Sequence, residues 1–95
     1  MQGGTAVLRH VLTQYVWDQD DSKAYLLEDA VHHVFAVLIV PNEKPQQSLA
    51  IIVARIENGH VIIDTDLTDK PVFHELARAG IPRERVICNF AGETA

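Results

Sequence analysis

The fold is decided by the stretch LAIIVARIENGHVIID, which occupies residues 49–64. Its first part, Leu49–Glu57, is apolar on one face and largely apolar on the other, which is typical of a strand covered on both sides of a sheet. Asn58-Gly59 then favours a type I′ turn, because that turn needs positive φ at both central residues. We therefore predict an antiparallel hairpin between Leu49–Glu57 and His60–Asp64.

Upstream of the hairpin, the sequence predicts one helix and two strands. Apolar residues recur at helical spacing over Thr5–Trp17. The almost wholly apolar run Val34–Val40 predicts a second buried strand, which Pro41 ends. Lys23–Glu28 predicts a shorter strand, and the acidic stretch Asp18–Ser22 before it is expected to form a solvated turn.

Downstream of the hairpin, a second helix is clearly marked at both ends. Pro71 suits the first helical turn, where a backbone N–H has no helical partner in any case. Gly80 suits the residue just after the helix, and Pro82 blocks its continuation. A last strand is predicted over Val86–Phe90. The order of elements predicts one α+β domain over residues 1–95, with a mainly antiparallel sheet, an N-terminal helix and a second short helix before the last strand.

Two short helices cannot cover both faces of a sheet whose strands are apolar on both sides. Helices of about 13 and 9 residues are ~20 and ~14 Å long, which covers one face or part of two. Large apolar patches rarely stay exposed to water. We therefore expect a homo-oligomer, a dimer or higher, or an obligate partner, the alternative being that loops and termini complete the cover.

The charge balance bears on the class of partner. The 95 residues are 47% hydrophobic and 22% charged, with a formal net charge of −5. Acidic residues concentrate in the region Asp18–Asp29, and the one local basic excess is formed by Arg78, Arg83 and Arg85. Phosphate neutralisation by Lys and Arg supplies most of the affinity of nucleic-acid binders, so direct nucleic-acid binding is not expected.

The absence of targeting signals in the sequence leads us to expect a cytoplasmic protein. No apolar run approaches the ~20 residues that span a bilayer, so no membrane association is expected. The N-terminal MQGGTAVLRH lacks the basic and apolar regions of a secretory signal. Cys88 is the single cysteine, which excludes an internal disulfide, and its apolar strand indicates a small core residue.

The string DTDLT at residues 64–68 is the most suggestive motif for chemistry. It resembles the first motif of haloacid-dehalogenase-type phosphatases, but only 27 residues follow it, too few for the repeated crossovers of that fold. Asp64, Asp66 and Asp69 could instead bind a divalent cation in a small Mg²⁺-dependent hydrolase, with the first two on one strand face. A solvated acidic turn is the simpler interpretation.

The remaining chemistry-bearing residues indicate no enzyme. The five histidines lack metal-ligand spacing, and no Gly-rich nucleotide loop is present. We predict no catalytic, cofactor-binding or metal-binding residue and no cofactor. A small-ligand pocket between helix and sheet stays open as a third possibility. Because sites tend to lie on loops by strand ends, a functional surface is placed at Asp64, Asp66, Thr68, Asp69, Arg83 and Arg85.

The second half of the chain resembles the XisI-like family. RIENGHVIIDTDLTD, at residues 55–69, resembles the family hairpin "DGKIWI…DGT(E/D)". ELARAGIPRERVI, at residues 75–87, resembles the family end "ELVEAGIPKEDIVL", and HVFAVLI, at residues 33–39, resembles the preceding strand. The match covers roughly residues 24–93. VPN stands at residues 40–42, where the family often has Gly-Trp-Asp, which indicates a diverged member.

The resemblance implies a role as well as a fold. It implies a small cyanobacterial α+β protein that controls the excision of the fdxN DNA element during heterocyst differentiation. It also implies a non-enzymatic accessory protein acting through a protein partner, the nuclease-like XisH. No catalytic residue carries over from the family. The acidic charge agrees with a regulator that binds a basic protein rather than DNA.

Overall fold

The computed structural model describes residues 4–19, 21–42 and 47–89. In these ranges the chain forms two α-helices, a short 3-10 turn at Arg83–Arg85 and six strands. The elements are α1 (Gly4–Thr13), β1 (Trp17–Asp18), β2 (Ser22–Asp29), β3 (Val34–Pro41), β4 (Leu49–Glu57), β5 (His60–Asp66), α2 (Val72–Arg78) and β6 (Val86–Cys88).

The strands form one sheet in the order β1-β2-β3-β4-β5-β6. β1 to β5 make an antiparallel meander. Helix α2 returns the chain along the sheet, so that β6 lies parallel to β5 with Val86 opposite Val61. The prediction of an α+β fold with a mainly antiparallel sheet is confirmed.

The hairpin at the centre of the sequence forms as predicted. Asn58 has φ 53° and Gly59 has φ 77°, the positive values of a type I′ turn. Glu57 lies opposite His60 across it. β5 runs to Asp66, two residues beyond the predicted end.

The first helix is shorter than predicted. α1 ends at Thr13, and the Tyr15 N–H then bonds only three residues back, to the Leu12 carbonyl at 3.0 Å. Trp17–Asp18 leaves the helix and pairs with β2 as an edge strand, where a helix end and a solvated turn were expected. The helical spacing of apolar residues overestimated the length of the helix, because Tyr15 is buried, at 6% exposure, although it lies beyond the helix end.

The second helix ends as its sequence indicates. Gly80 has φ 100°, and its N–H bonds to the Ala77 carbonyl at 3.1 Å. The Ile81 N–H bonds to the Leu76 carbonyl at 3.0 Å, which completes a Schellman motif. The last strand ends at Cys88, and residue 90, included in its predicted range, lies outside the described residues.

The buried core lies on one side of the sheet, between the strands and both helices. The helices contact each other as well as the sheet. Core side chains include Leu8, Val11 and Leu12 of α1, Val72 and Leu76 of α2, and Ala24, Phe35, Val37, Ile52, Ala54, Val61, Ile63 and Cys88 of the sheet. Cys88 is buried, as predicted.

The other side of the sheet has no helix on it in the described part of the chain, and we call it the open face. Alternate strand residues point to opposite faces, so the neighbours of the core residues lie there. Its apolar members are Tyr25, Leu27, Val34, Ala36, Leu38, Val40, Ala50, Val53, Ile62 and Ile87. The outermost of these are strongly exposed, with Tyr25 at 45%, Leu27 at 50% and Ile87 at 42%.

No helix among the described residues combines the length and the apolar character needed to cross a membrane.

Candidate functional site

Asp64, the first carboxylate of the predicted functional surface, lies at an irregular point of β5. Val53 pairs with Thr65 while Ala54 pairs with Ile63, so Asp64 is an extra residue in a β-bulge. Bulges re-aim side chains, and here the carboxylate points to the open face.

The Asp64 carboxylate is held by an ion pair and an amide. Arg55 Nε donates to Asp64 Oδ2 at 2.8 Å, and Asn89 Nδ2 donates to Oδ1 at 3.1 Å. The hydrogen bond from Arg55, with a smaller one from Asn89, lowers the pKa of Asp64 despite its partial burial. Arg55 also donates to Glu57 Oε2 at 2.7 Å. The guanidinium therefore sits between two carboxylates.

Asp66 caps the second helix from six residues away. Its Oδ2 accepts a hydrogen bond from the Val72 N–H at 2.8 Å, and its Oδ1 accepts the N–H and hydroxyl of Thr68 at 3.0 and 2.6 Å. Pro71 occupies the N-cap position and provides no side-chain acceptor. A carboxylate at a helix N-terminus also interacts favourably with the helix dipole. Asp66 therefore holds α2 against the end of β5.

The prediction that Asp64 and Asp66 share a strand face is wrong. The bulge places the Asp64 carboxylate with Arg55 on the open face, whereas the Asp66 carboxylate meets α2 on the helix side. Asp69 lies exposed in the following loop. Within residues 4–19, 21–42 and 47–89, no three His, Cys, Asp or Glu side chains are grouped to hold a metal ion.

The structure also separates Arg85 from Asp66. Arg85 Nη1 donates to the Gly59 carbonyl at 3.2 Å, beside the turn where β5 begins. Asp66 lies at the other end of that seven-residue strand, ~20 Å away at 3.3 Å per residue. The Arg83 guanidinium lies 4.9 Å from the centroid of the Phe73 ring. The six predicted residues therefore do not form one surface.

Two of the six, Thr68 and Asp69, border a cleft that we call the Trp17 cleft. It has a volume of about 490 Å³ and lies where the end of α1, the edge of the sheet and the loop after β5 meet. This volume is within the range of small-molecule sites, ~300–1,000 Å³. Its lining residues are Gln14, Tyr15, Trp17, Ile39, Ile51, Leu67, Thr68, Asp69 and Lys70.

Aromatic side chains and one lysine give the Trp17 cleft its character. The Tyr15 hydroxyl donates to the Lys70 carbonyl at 2.7 Å, and Lys70 Nζ lies 4.7 Å from the centre of the Tyr15 ring. Burial, together with the Asp66 and Glu75 carboxylates, raises the pKa of Tyr15, so the phenol stays a donor. Trp17 Nε1 donates to Ser22 Oγ at 3.2 Å, which orients the indole.

The model of the family described as XisI protein matches residues 5–95. The chain belongs to the XisI family. Two crystal structures of proteins from Anabaena variabilis ATCC 29413 share its fold. A XisI-like protein, at 21% identity, aligns over 90% of this chain and 83% of its own with a TM-score of 0.80. The fdxN element excision controlling factor XisI, at 22% identity, aligns over 94% and 90% with a TM-score of 0.75. No match was found among the curated proteins.

Membership of the XisI family confirms the resemblance on the hairpin and the AGIP helix end. At these identities the two crystal structures establish the fold. Sequence reasoning did not find Tyr15, Trp17 or Lys70 as lining residues of this XisI family member. The sequence did contain one signal for the Trp17 cleft, which is a tyrosine and the single tryptophan at the end of a helical pattern. Aromatic residues that carry a polar atom often line sites that are partly apolar and partly hydrated.

Proposed function

We propose that this XisI family protein is a non-enzymatic regulator that acts in the cytoplasm by binding another protein. Its role would match that of an element excision controlling factor, the description carried by one of its structural relatives. The family match supports the regulatory class, since its name is not an enzyme name. The partner we propose is a basic, nuclease-type protein of the XisH kind.

The observation that carries the proposal is how the strand-end carboxylates are used. Asp64 forms the ion pair with Arg55, and Asp66 caps α2. Both groups therefore have a structural task, and they face opposite sides of the sheet. A hydrolase would need them together at one cation. Because both carboxylates stabilise the fold, we attribute the function to binding by a surface of the protein rather than to catalysis by these residues.

The acidic region at β1 and β2 is the surface that suits a basic partner. Asp18 and Asp21 are exposed beside the edge strand. Glu28 is already neutralised by Arg9, with Arg9 Nη2 2.7 Å from its carboxylate, and Asp29 bonds to His32. Unpaired charge in this region therefore concentrates at Asp18 and Asp21, next to residue 20, which lies outside the described ranges.

Calorimetric titration of an XisH-type protein with the purified chain tests the proposal. We expect binding at about 50 mM salt that weakens strongly at about 500 mM, because exposed charges are screened. The double variant Asp18→Asn/Asp21→Asn should bind more weakly, whereas Glu84→Gln, an exposed acid on the 3-10 turn, should bind as the wild type does. Binding that ignores salt and both variants would contradict the charged interface. So would a Mg²⁺-dependent hydrolytic activity of the isolated chain that Asp66→Asn abolishes while the fold is retained.

The Trp17 cleft supports a second candidate function, the binding of a small apolar molecule. Its volume and its Trp17, Tyr15 and Leu67 lining are the supporting observations. A thermal-shift screen with aromatic carboxylates as probes, read beside Trp17 fluorescence, tests it. A hit should lose its effect in Leu67→Lys and keep it in Val31→Lys, which changes a residue in the β2–β3 turn. A screen without any shift in either signal would remove this candidate.

A further inference from the structure

The open face is an apolar surface that no helix among the described residues covers. Both helices pack on the opposite side, yet β2 to β6 display apolar side chains here over five strands. On β3, in the middle of this surface, every outward residue is apolar, from Val34 to Val40. A monomer seldom leaves such a continuous apolar surface in water.

We infer that the open face is the interface of a homodimer, in which two copies of this chain pack sheet against sheet. The inference goes beyond the proposed function, because it holds whichever protein the chain regulates. Two sheets that pack face to face keep their strands within about 30° of each other, with interdigitating side chains between them. A two-fold arrangement of this kind uses the same patch on both copies.

The size of the open face suits a dimer. β2 to β5 contain seven to nine residues each. Four strands ~4.8 Å apart and ~26 Å long cover about 500 Å². Two copies would bury about 1,000 Å² in total by this flat estimate, which meets the ~1,000 Å² threshold for a biological interface.

Charge favours a second copy over a charged partner. Arg55 lies at the border of the apolar area, and Asp64 and Glu57 neutralise it at 2.8 and 2.7 Å. At the opposite border, Lys23 is directly across from Asp18 in the β1–β2 ladder. The charged groups of the open face therefore lie at its borders, where Asp29 also contacts His32 at 2.8 Å, and the outward residues of β3 between them carry no charge. Two acidic copies can pack through this uncharged middle, whereas it offers no ion pair to a charged partner.

The edges of the sheet offer the other common way of pairing two sheets. Among the described residues, the edge strands β1 and β6 contain two and three residues. β1 pairs only with Lys23 and Ala24, so the backbone of residues 25–29 in β2 also lies at an edge in the described part of the chain. A sheet continuous between copies is therefore the competing arrangement, and a folded Leu38→Lys variant that stays dimeric would indicate it. The two-fold axis of the face-to-face dimer would pass close to Ala36 and Leu38, the outward residues at the middle of β3.

Sedimentation equilibrium of the purified chain at about 20–200 μM tests the inference. We expect a mass twice the 10.6 kDa of one chain. Leu38→Lys places two ammonium groups beside the axis, so dimer dissociation should rise roughly a hundredfold or more. Leu67→Lys is the matched control, since Leu67 is 63% exposed but lies at the Trp17 cleft, and it should stay dimeric.

A second variant keeps the test decisive if Leu38→Lys does not fold. Tyr25→Lys changes a 45% exposed residue on β2, which tolerates a polar side chain in the monomer. A monomeric Tyr25→Lys with an unchanged circular dichroism spectrum supports the interface. A wild-type mass of 10.6 kDa at the highest concentration overturns it, as does a folded Leu38→Lys or Tyr25→Lys that remains fully dimeric.

Discussion

Replacement of Asp66 by Ala should destabilise the protein by releasing the start of α2. In the native chain the carboxylate accepts hydrogen bonds from the Val72 N–H at 2.8 Å and from the Thr68 N–H at 3.0 Å. The Thr68 hydroxyl loses less, because its single proton can be donated instead to the Lys70 carbonyl, 2.9 Å away. α2 is only seven residues long, so a helix of this length depends on its cap and its packing rather than on its own propensity.

The size of the effect follows from these contacts. Loss of an N-cap acceptor costs about 0.5–2 kcal/mol, and a hydrogen bond to a charged group is worth about 1.5–3 kcal/mol. The two terms overlap, since one side chain makes all the bonds, and Asp66 is only half-buried. We therefore expect a loss of about 2 kcal/mol in the free energy of unfolding. For a domain of this size, that corresponds to a fall in Tm of roughly 8–16 °C.

Urea unfolding followed by far-UV circular dichroism and Trp17 fluorescence measures this loss. Asp69→Ala is the control, because Asp69 is exposed in the same loop and its replacement should change stability by less than about 0.5 kcal/mol. Equal stability of Asp66→Ala and Asp69→Ala would refute the capping argument. A rise in the wild-type Tm on addition of Mg²⁺, absent in Asp66→Ala, would instead assign the carboxylate to a cation.

Three further predictions concern the ion pair, the helix end and the Trp17 cleft. Because Arg55 holds the pKa of Asp64 below its ordinary value of 3.8, the pair stabilises the fold above that value and this contribution is lost as pH falls through the lower, folded pKa. Asp64→Asn should therefore lose less stability than the wild type between about pH 5 and pH 2 in urea titrations, and parallel curves would contradict the sign. Gly80→Ala should cost about 1–2 kcal/mol by thermal unfolding, because its φ of 100° is strained for any residue with a Cβ although the space around it is open; an unchanged Tm would show that the helix end can rearrange. Tyr15→Phe should lower the free energy of unfolding by about 1 kcal/mol, because it removes the hydrogen bond to the Lys70 carbonyl. Urea unfolding measures this loss, and a variant as stable as the wild type would contradict the prediction.

The elements that were predicted well are those with local chemical signals. Asn58-Gly59 makes its turn because few other residue pairs accept two positive φ values in succession. Gly80 ends α2 for a related reason, and Ile81 follows into the core. In both places the conformation depends on residues within a few positions of one another, so a sequence pattern is sufficient to identify it.

The candidate site was predicted less well because its geometry depends on distant parts of the chain. The motif at residues 64–68 suggested paired carboxylates, but a bulge in β5 against β4 turned Asp64 to one face and left Asp66 to cap a helix on the other. Arg85 was grouped with these residues, and the return of α2 along the sheet placed it beside Gly59 instead. The Trp17 cleft brings Trp17 and Ile51 together from positions 34 residues apart.

By itself, the sequence determined the hairpin, the end of the second helix, the α+β class and the family, because each depends on local conformational preference or on a contiguous motif. Tertiary structure alone decided that Trp17 and Asp18 form a strand beyond the first helix and that both helices lie on one face of the sheet. It also decided that the Asp64 and Asp66 carboxylates point to opposite faces. The physical reason is that strand pairing and helix packing maximise burial and hydrogen bonding over the whole chain. Those demands override short patterns, as where Trp17 pairs with Ala24 of β2 and Asp64 with Arg55 of β4.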